Sequence, residues 1–200
     1  RLISKGIDGF WNDMNEPAVM EVPNKTFPMD VRHDYDGNPC SHRKAHNIYG
    51  TQMARATYHG VKRFAYPKRP FVITRSAYAG AQRYSSSWTG DNVASWEHLW
   101  IANIQMQRMS ISGMGFTGSD IGGFAEQPSG ELYARWIQLG VFHPFCRTHS
   151  SGDHGDQEPW AFDEEVTNII RKFVNLRYQL LPYLYTMFWQ YIEQGIPMLK

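Results

Sequence analysis

Short apolar runs and longer amphipathic stretches alternate along this chain, with polar loops between them. Apolar runs of strand length bounded by Gly and Pro are typical of buried β-strands, whereas apolar residues at helical spacing are typical of amphipathic helices. The order of short strand, loop and helix recurs five times. Strands that alternate with helices favour an α/β fold with a parallel sheet.

The helical pattern is clear in four places. In two of them capping chemistry or a helix breaker also predicts a boundary: Ser95 is a good N-cap residue, and Pro182 should stop the last long helix. The predicted helices are residues 46–64, 95–109, 130–139 and 163–181, with a further segment at 183–193.

The apolar runs predict the strands. They cover residues 6–11, 71–74, a third strand reached through 83–88, 115–117, and a last run at 141–145. Between the first strand and the first helix, residues 21–43 are rich in Pro, Gly and charged side chains. We expect this segment to be a long polar loop.

Each strand-like run ends in a charged or titratable side chain. In (β/α)₈ barrels the catalytic groups project from the C-terminal ends of the strands, so these residues are expected to form one converging rim. An Asp–Asn–Glu cluster such as the one after Trp11 is also ordinary turn chemistry, because Asp and Asn bond readily to their own backbone. The rim residues are Asp13, Arg75, Asp91, Asp120, Arg147 and His149.

The length of 200 residues corresponds to one domain at most. A closed eight-stranded barrel normally needs about 250 residues. The chain also opens on Arg1 rather than Met and ends in mid-pattern. We therefore expect residues 1–200 to be the C-terminal part of a TIM-type barrel, roughly from the fourth strand to the last helix. Secreted, periplasmic and organelle-lumen locations all remain open.

The bulk composition removes several function classes. The net charge of +1 argues against nucleic acid as a partner, and no apolar run is long enough to suggest a membrane span. Cys40 and Cys146 show neither a disulfide framework nor metal spacing, and Cys146 is expected to be a buried free thiol.

Two stretches rich in Asp and His raise the possibility of a metal site. Their spacing matches neither a helical His pair nor a calcium-binding loop, so a solvated polar loop is the preferred interpretation and no metal is expected. The residues concerned are His33, Asp34, Asp36, His42 and His46, with Asp153, His154 and Asp156 later in the chain.

Two blocks make the chain resemble a known family. Trp-Asn-Asp-Met-Asn-Glu-Pro at 11–17 and Trp-Thr-Gly-Asp-Asn at 88–92 are similar to the two catalytic signatures of glycoside hydrolase family 31. These enzymes are retaining α-glucosidases with a TIM-type barrel, and the likeness is closest to their maltase and glucosidase II branch. It extends from about Gly6 to Met198.

The resemblance implies that Asp13 is the nucleophile and Asp91 the general acid/base. A retaining glycosidase needs one ionised and one protonated carboxyl group on either side of the anomeric carbon. Their separation should then be about 5–5.5 Å, against roughly 6.5–9.5 Å in an inverting enzyme. Glu16 is assigned to structure at the strand end, since two carboxyl groups suffice.

The same resemblance assigns the remaining site residues. Arg75 and His149 would contact the sugar at the non-reducing end, and Asp120 would hold either sugar hydroxyls or Arg75. For each of these an ordinary structural role, such as a salt bridge, is the alternative. The candidate walls of the sugar pocket, which could equally be core residues, are Trp11, Met14, Trp88 and Phe124.

The implied function is release of terminal α-linked glucose from oligosaccharides or α-glucans, with no cofactor. One alternative is a transglycosylase or an α-glycosidase for xylose or galactose on the same site. A non-catalytic carbohydrate-binding relic is the alternative from another class. The expected partners are an oligosaccharide and the rest of the same polypeptide, namely the other half of the barrel and flanking β domains. Linkage preference and oligomeric state stay open.

Overall fold

A computed structural model describes residues 2–200. It divides the chain into two compact units, one ending at Ser87 and the other running from Trp88 to Lys200. Among the described residues no helix is both long and apolar enough to span a membrane.

The first unit is built on two parallel strands joined through a helix. Strand β1, Gly9–Asn12, pairs with β4, Phe71–Thr74, in the register Gly9↔Phe71 to Asn12↔Thr74. Helix α2, Tyr49–Phe64, connects them and packs on both strands, using Ala54 and Val61 as buried contacts. This is the predicted βαβ arrangement, and the predicted bounds of β4 are confirmed.

The expectation of one long polar loop after β1 is wrong in part. A small antiparallel pair forms there from β2, Arg32–His33, and β3, Cys40–Ser41, and leads into the one-turn helix α1, His42–Ala45. Strands of two residues leave no periodic pattern in a sequence. The predicted third strand is also missing: Ser86 makes only an isolated bridge with Ile73, although its main chain bonds to both Val72 and Thr74.

The second unit repeats the parallel arrangement. Strand β5, Asp120–Ile121, pairs with β6, Arg147–Thr148, and helix α4, Gly130–Gly140, connects them. The strand expected at 115–117 therefore lies a few residues later, and the apolar run at 141–145 forms turns. Helix α3, Trp96–Ile111, begins after Ser95, whose side chain accepts a hydrogen bond from the His98 amide, as predicted.

Helix α5, Glu164–Gln194, passes through Pro182 instead of ending before it. Proline removes one backbone hydrogen bond, to the carbonyl of residue 178, and Tyr178 is on an exposed part of the helix, where water can replace that bond. The N-cap at Asp163 and the left-handed Gly195 set the ends of the helix.

The core of the second unit lies between α4, α5 and strand β5. Trp136 and Tyr133 are fully buried in it, beside Ile121 and Ile170. Cys146 is on the surface, so the expectation of a buried thiol is wrong. Of the apolar residues before it, Val141 is fully buried and belongs to the core. Partial burial of the thiol raises the pKa of Cys146.

Candidate active site

Asp13 and Arg75 leave the first sheet side by side. They follow the last residue pair of the parallel strands, Asn12↔Thr74, and the Arg75 amide donates to the Asn12 carbonyl over 2.9 Å. Neighbouring parallel strands end at the same edge of a sheet. The structure thus brings together two residues that lie far apart in the sequence, as the rim pattern predicted.

The Asp13 carboxylate is held but accessible. Its Oδ1 atom accepts a hydrogen bond from the Met14 amide over 2.9 Å and lies 3.5 Å from Nε of Arg75. About half of the side chain, 52%, is exposed. Met14 has a left-handed backbone conformation, φ +55°, and an exposed side chain. Trp11, on β1, is half-buried.

Arg75 makes a two-point ion pair with Glu16. Its Nε and Nη2 atoms donate to Oε1 and Oε2 of Glu16, each over 2.9 Å. The hydrogen bond from Arg75 is the main reason why the pKa of Glu16 is lowered, against the opposing effect of burial. Arg75 therefore makes the strand-end salt bridge considered from the sequence and also contacts the predicted nucleophile.

Asn15 fixes the segment that carries Asp13 and Glu16. Its buried side chain donates to the Thr74 hydroxyl over 2.8 Å and accepts from the Ser76 amide over 2.9 Å. Gly50, at the start of α2, completes this close packing, because a Cβ there would lie 2.5 Å from Cβ of Ser76. Asn15 was not among the residues predicted from the sequence. Its position inside the block at 11–17, between residues with assigned roles, was the signal that could have pointed to it.

In the second unit, Asp91 is exposed at a turn between anchored neighbours. Gly90 before it is left-handed, φ +85°. Asn92 after it is buried: its side chain accepts from the Thr89 hydroxyl over 2.7 Å, and its carbonyl accepts from the Phe124 amide over 2.7 Å. The main chain thus presents Asp91 to solvent.

Asp120 and Arg147 form a buried ion pair at the paired strands β5 and β6. The two residues are directly opposite in the register, and Nη2 of Arg147 lies 2.6 Å from Oδ1 of Asp120, which is fully buried. Arg147 is therefore a partner of Asp120 in the structure, whereas sugar hydroxyls or Arg75 were the partners expected from the sequence. The appearance of Asp120 and Arg147 at the ends of two successive apolar runs was the signal that could have linked them.

Phe124 and His149 come together a few residues beyond the same strands. Their ring centroids are 5.3 Å apart with a tilt of 34°, and His149 is exposed. The Ser151 amide donates to the Phe124 carbonyl over 2.9 Å. Two predicted sugar-binding residues are therefore neighbours, whereas Trp88 is almost entirely buried, at 7% exposure.

The histidines after β1 pack together instead of forming the solvated loop expected for them. His42 is fully buried; its ring nitrogens hydrogen-bond with Thr26 over 3.0 Å and with His33 over 2.9 Å. Burial, with smaller effects from His33 and His46, lowers the pKa of His42. Within residues 2–200, no three His, Cys, Asp or Glu side chains are grouped so that they could hold a metal ion.

The chain matches one family along most of its length. The family described as "Glycosyl hydrolases family 31 TIM-barrel domain" matches residues 1–187. This match covers both sequence blocks on which the resemblance was based. It confirms the α/β fold class, and with it the TIM-type barrel that the resemblance implies.

Individual relatives and a solved structure are consistent with this family match. Alpha-glucosidase 2 of Bacillus thermoamyloliquefaciens is 48% identical over 98% of this chain and 25% of its own length. Glucosidase 2 subunit alpha of Saccharomyces cerevisiae is 46% identical over 95% of this chain and 20% of its own. A crystal structure of a glucosidase II alpha subunit superposes with a TM-score of 0.89 at 41% identity, over 94% of this chain and 20% of that one. The chain thus spans a fifth to a quarter of these relatives.

Proposed function

Since the chain belongs to glycosyl hydrolase family 31, we propose that it is the second half of the catalytic barrel of a retaining α-glucosidase. The enzyme would release terminal α-linked glucose from oligosaccharides or α-glucans. The relatives named above carry the activity in their names. The proposal concerns the whole polypeptide, of which the other half of the barrel and flanking β domains would be further parts.

The observation that carries the proposal is the carboxylate of Asp13 at the end of β1. It has a guanidinium nitrogen 3.5 Å away and a backbone amide on the same oxygen. A half-exposed carboxylate at a strand end, held by a cation and a backbone amide, is what a nucleophile in a parallel α/β fold requires.

In the first step, an oxygen of Asp13 bonds to the anomeric carbon while the glycosidic bond breaks. The electron pair of that bond goes to the leaving oxygen, which takes the proton of Asp91. In the second step, Asp91 removes a proton from water as the water oxygen attacks the anomeric carbon and the ester bond to Asp13 breaks. Two inversions leave the anomeric configuration unchanged.

The other residues are proposed to bind the sugar. Arg75 and His149 would contact its hydroxyl groups, with Phe124 beside His149 as an apolar wall. The ion pair with Arg147 favours a role for Asp120 in holding the ends of β5 and β6 in place. Met14 and Trp11 would line the pocket near Asp13, and Trp88 would support the Asp91 turn from a nearly buried position.

The experiment uses the full-length enzyme and a mechanism-based epoxide inhibitor. We expect mass spectrometry of the digested protein to find the label on Asp13, and NMR of the initial product to show α-glucose. A β-product would overturn the double displacement. Binding of sugar without turnover or labelling would favour the carbohydrate-binding alternative, and longer oligosaccharides among the first products would indicate transglycosylation.

A further inference from the structure

We propose that Glu16 is a positioning residue of this site: it holds Arg75 at two points and thereby sets how Arg75 faces the nucleophile Asp13. The proposal rests on the function proposed above and adds a third carboxylate to it. Glu16 touches neither substrate nor reacting atoms in this role, because it acts through Arg75.

The contact between Glu16 and Arg75 determines the orientation of the guanidinium. A paired contact of two parallel N–H···O bonds fixes a planar guanidinium against rotation, which one bond does not. The Nε atom in this contact, 2.9 Å from Glu16, is also the atom 3.5 Å from Oδ1 of Asp13. The hold of Glu16 on Arg75 therefore sets the distance between cation and nucleophile.

Charge is shared unequally among the three side chains. Arg75 makes short bonds to Glu16 and a longer contact with Asp13, so two carboxylates compete for one cation. If Glu16 carried no charge, Arg75 would be drawn more strongly toward Asp13. A closer pair would occupy the oxygen of Asp13 and reduce its reactivity toward the anomeric carbon.

Burial makes this competition effective. The Arg75 side chain is only 22% exposed and that of Glu16 37%, so both are less screened by water than Asp13 at 52%. The backbone on both sides of Glu16 is also held in place. The Asn15 side chain hydrogen-bonds to Thr74 and Ser76, and the Ala18 amide donates to the Met14 carbonyl over 3.0 Å.

The test compares kcat/KM for an aryl α-glucoside in the full-length enzyme and its Glu16→Gln variant. A glutamine of the same size has one acceptor oxygen and no charge, so it cannot form the two-point contact. A small displacement of a reacting group can cost about 10²-fold, and we expect kcat/KM to fall about 10- to 100-fold. Glu21→Gln is the matched control, an exposed carboxylate in the same segment, with a change of about twofold at most.

A double-mutant cycle with Arg75→Lys separates positioning from general support of the fold. Lysine cannot make the planar two-point contact, so the loss caused by Glu16→Gln should shrink to about threefold or less in that background. Equal losses in both backgrounds, or a Glu16→Gln variant within about twofold of wild type, would overturn the proposal. If Glu16→Gln does not fold, the same cycle with Glu16→Asp decides, because it keeps the charge but shortens the reach.

Failure here is distinguishable from failure of the proposed function. The label from the epoxide inhibitor reports on Asp13 in the wild-type enzyme whatever Glu16 does. If Asp13 is labelled but Glu16 and Arg75 show no coupling, the proposed function stands and the positioning role of Glu16 is wrong. Measuring the unfolding temperature of each variant excludes an effect that comes only from stability.

Discussion

The segments that carry Asp13 and Asp91 are held in different ways. Around Asp13, side chains form the supports: Asn15 bonds to Thr74 and Ser76, and Arg75 pairs with Glu16. Around Asp91, the main chain has the larger share, through Gly90 in a left-handed conformation and the Asn92 carbonyl that receives the Phe124 amide.

This contrast suits the chemical roles proposed for Asp13 and Asp91. A nucleophile must meet one carbon atom from one direction, and tight support by side chains limits its movement. An acid/base meets the leaving oxygen in the first step and a water molecule in the second, and a carboxyl group at the tip of an anchored turn suits both. Substitutions near Asp13 should therefore act through lost side-chain contacts, whereas those near Asp91 should act through backbone conformation.

The same contrast appears in the buried histidines. His42 in the first unit has hydrogen-bond partners for both ring nitrogens. His143 in the second unit has none for either, among the described residues, while Arg177 donates to the main-chain carbonyls around it, at Val141 and Pro144. In the first unit the buried ring itself is hydrogen-bonded by side chains. In the second unit the hydrogen bonds are made to the main chain around the ring.

The largest expected effect separates the two carboxylates. Asp13→Ala should lower turnover of every α-glucoside by about 10⁴-fold or more, because no covalent intermediate forms. Asp91→Ala should still release an activated aryl or fluoride leaving group, and added azide should restore turnover and give the α-glucosyl azide.

Steady-state rates with maltose and with an aryl glucoside measure this difference. Asp30→Ala, at an exposed carboxylate of the first unit, is the control. Hydrolysis of maltose at the wild-type rate by the Asp91→Ala enzyme would remove Asp91 from the proposed mechanism.

The next largest effect is a loss of stability in acid caused by His143. Burial, with a smaller effect from Arg177, lowers the pKa of His143 from 6.5 to about 3. Between these pH values the unfolded chain binds a proton that the folded one does not. Above pH 6.5 His143 is neutral in both states, and the free energy of unfolding does not depend on its titration. As the pH falls from 6.5 toward 3, protonation of His143 in the unfolded chain lowers the free energy of unfolding by about 1.4 kcal/mol per pH unit.

Denaturant unfolding of wild type and of His143→Phe between neutral and acid pH measures this loss. The variant has no titrating ring at this position, so its stability should fall less steeply with acid. His42→Phe is the comparison from the first unit: it removes a titrating ring and two hydrogen bonds together, so it should also be destabilised at neutral pH. Parallel pH curves for wild type and His143→Phe would contradict the assignment to His143.

The long helices and the strand β4 could be predicted because their signals in the sequence are local. Ser95 as a cap defines the start of α3, and periodicity with flanking Pro and Gly defines α4 and β4. Strands of two residues, such as β5 and β6, depend on a partner distant in sequence. The continuation of α5 through Pro182 could not be predicted for the same reason. Whether a helix continues past a proline depends on the tertiary packing of the residues on either side of it.

The same distinction between local and distant signals applies to the site residues. Asp13 and Asp91 could be proposed as the catalytic pair from the sequence because each is part of a contiguous block. The contacts of Asn15, the pair of Glu16 with Arg75 and the pair of Asp120 with Arg147 join residues separated by 27 to 61 positions. No local pattern specifies which of several charged residues will meet.

Truncating one asparagine in each unit tests the contrast in stability. Asn15→Ala removes two short side-chain hydrogen bonds and leaves the Ser76 amide without this acceptor, so we expect a loss of about 2–3 kcal/mol. Asn92→Ala removes one side-chain bond, from Thr89, and keeps its main-chain contacts, so we expect about 1 kcal/mol. Equal losses in equilibrium unfolding would mean that side chains support both segments equally.

The last comparison uses two glycines that leave room for a methyl group. Gly60 lies inside α2 and Gly90 precedes Asp91, and a Cβ at either position would meet no atom within 4 Å. Gly60→Ala should stabilise the protein by about 0.5–1 kcal/mol, because alanine loses less backbone entropy in a helix. Gly90→Ala should destabilise it by about 1–2 kcal/mol, because φ +85° is unfavourable for a residue with a Cβ. Since the added atoms touch nothing in either case, thermal unfolding of the two variants compares backbone conformation alone. Opposite signs would show that the turn before Asp91 depends on its main-chain conformation. A neutral Gly90→Ala variant would show that this turn can relax, and the proposed difference between the two carboxylate segments would then be wrong.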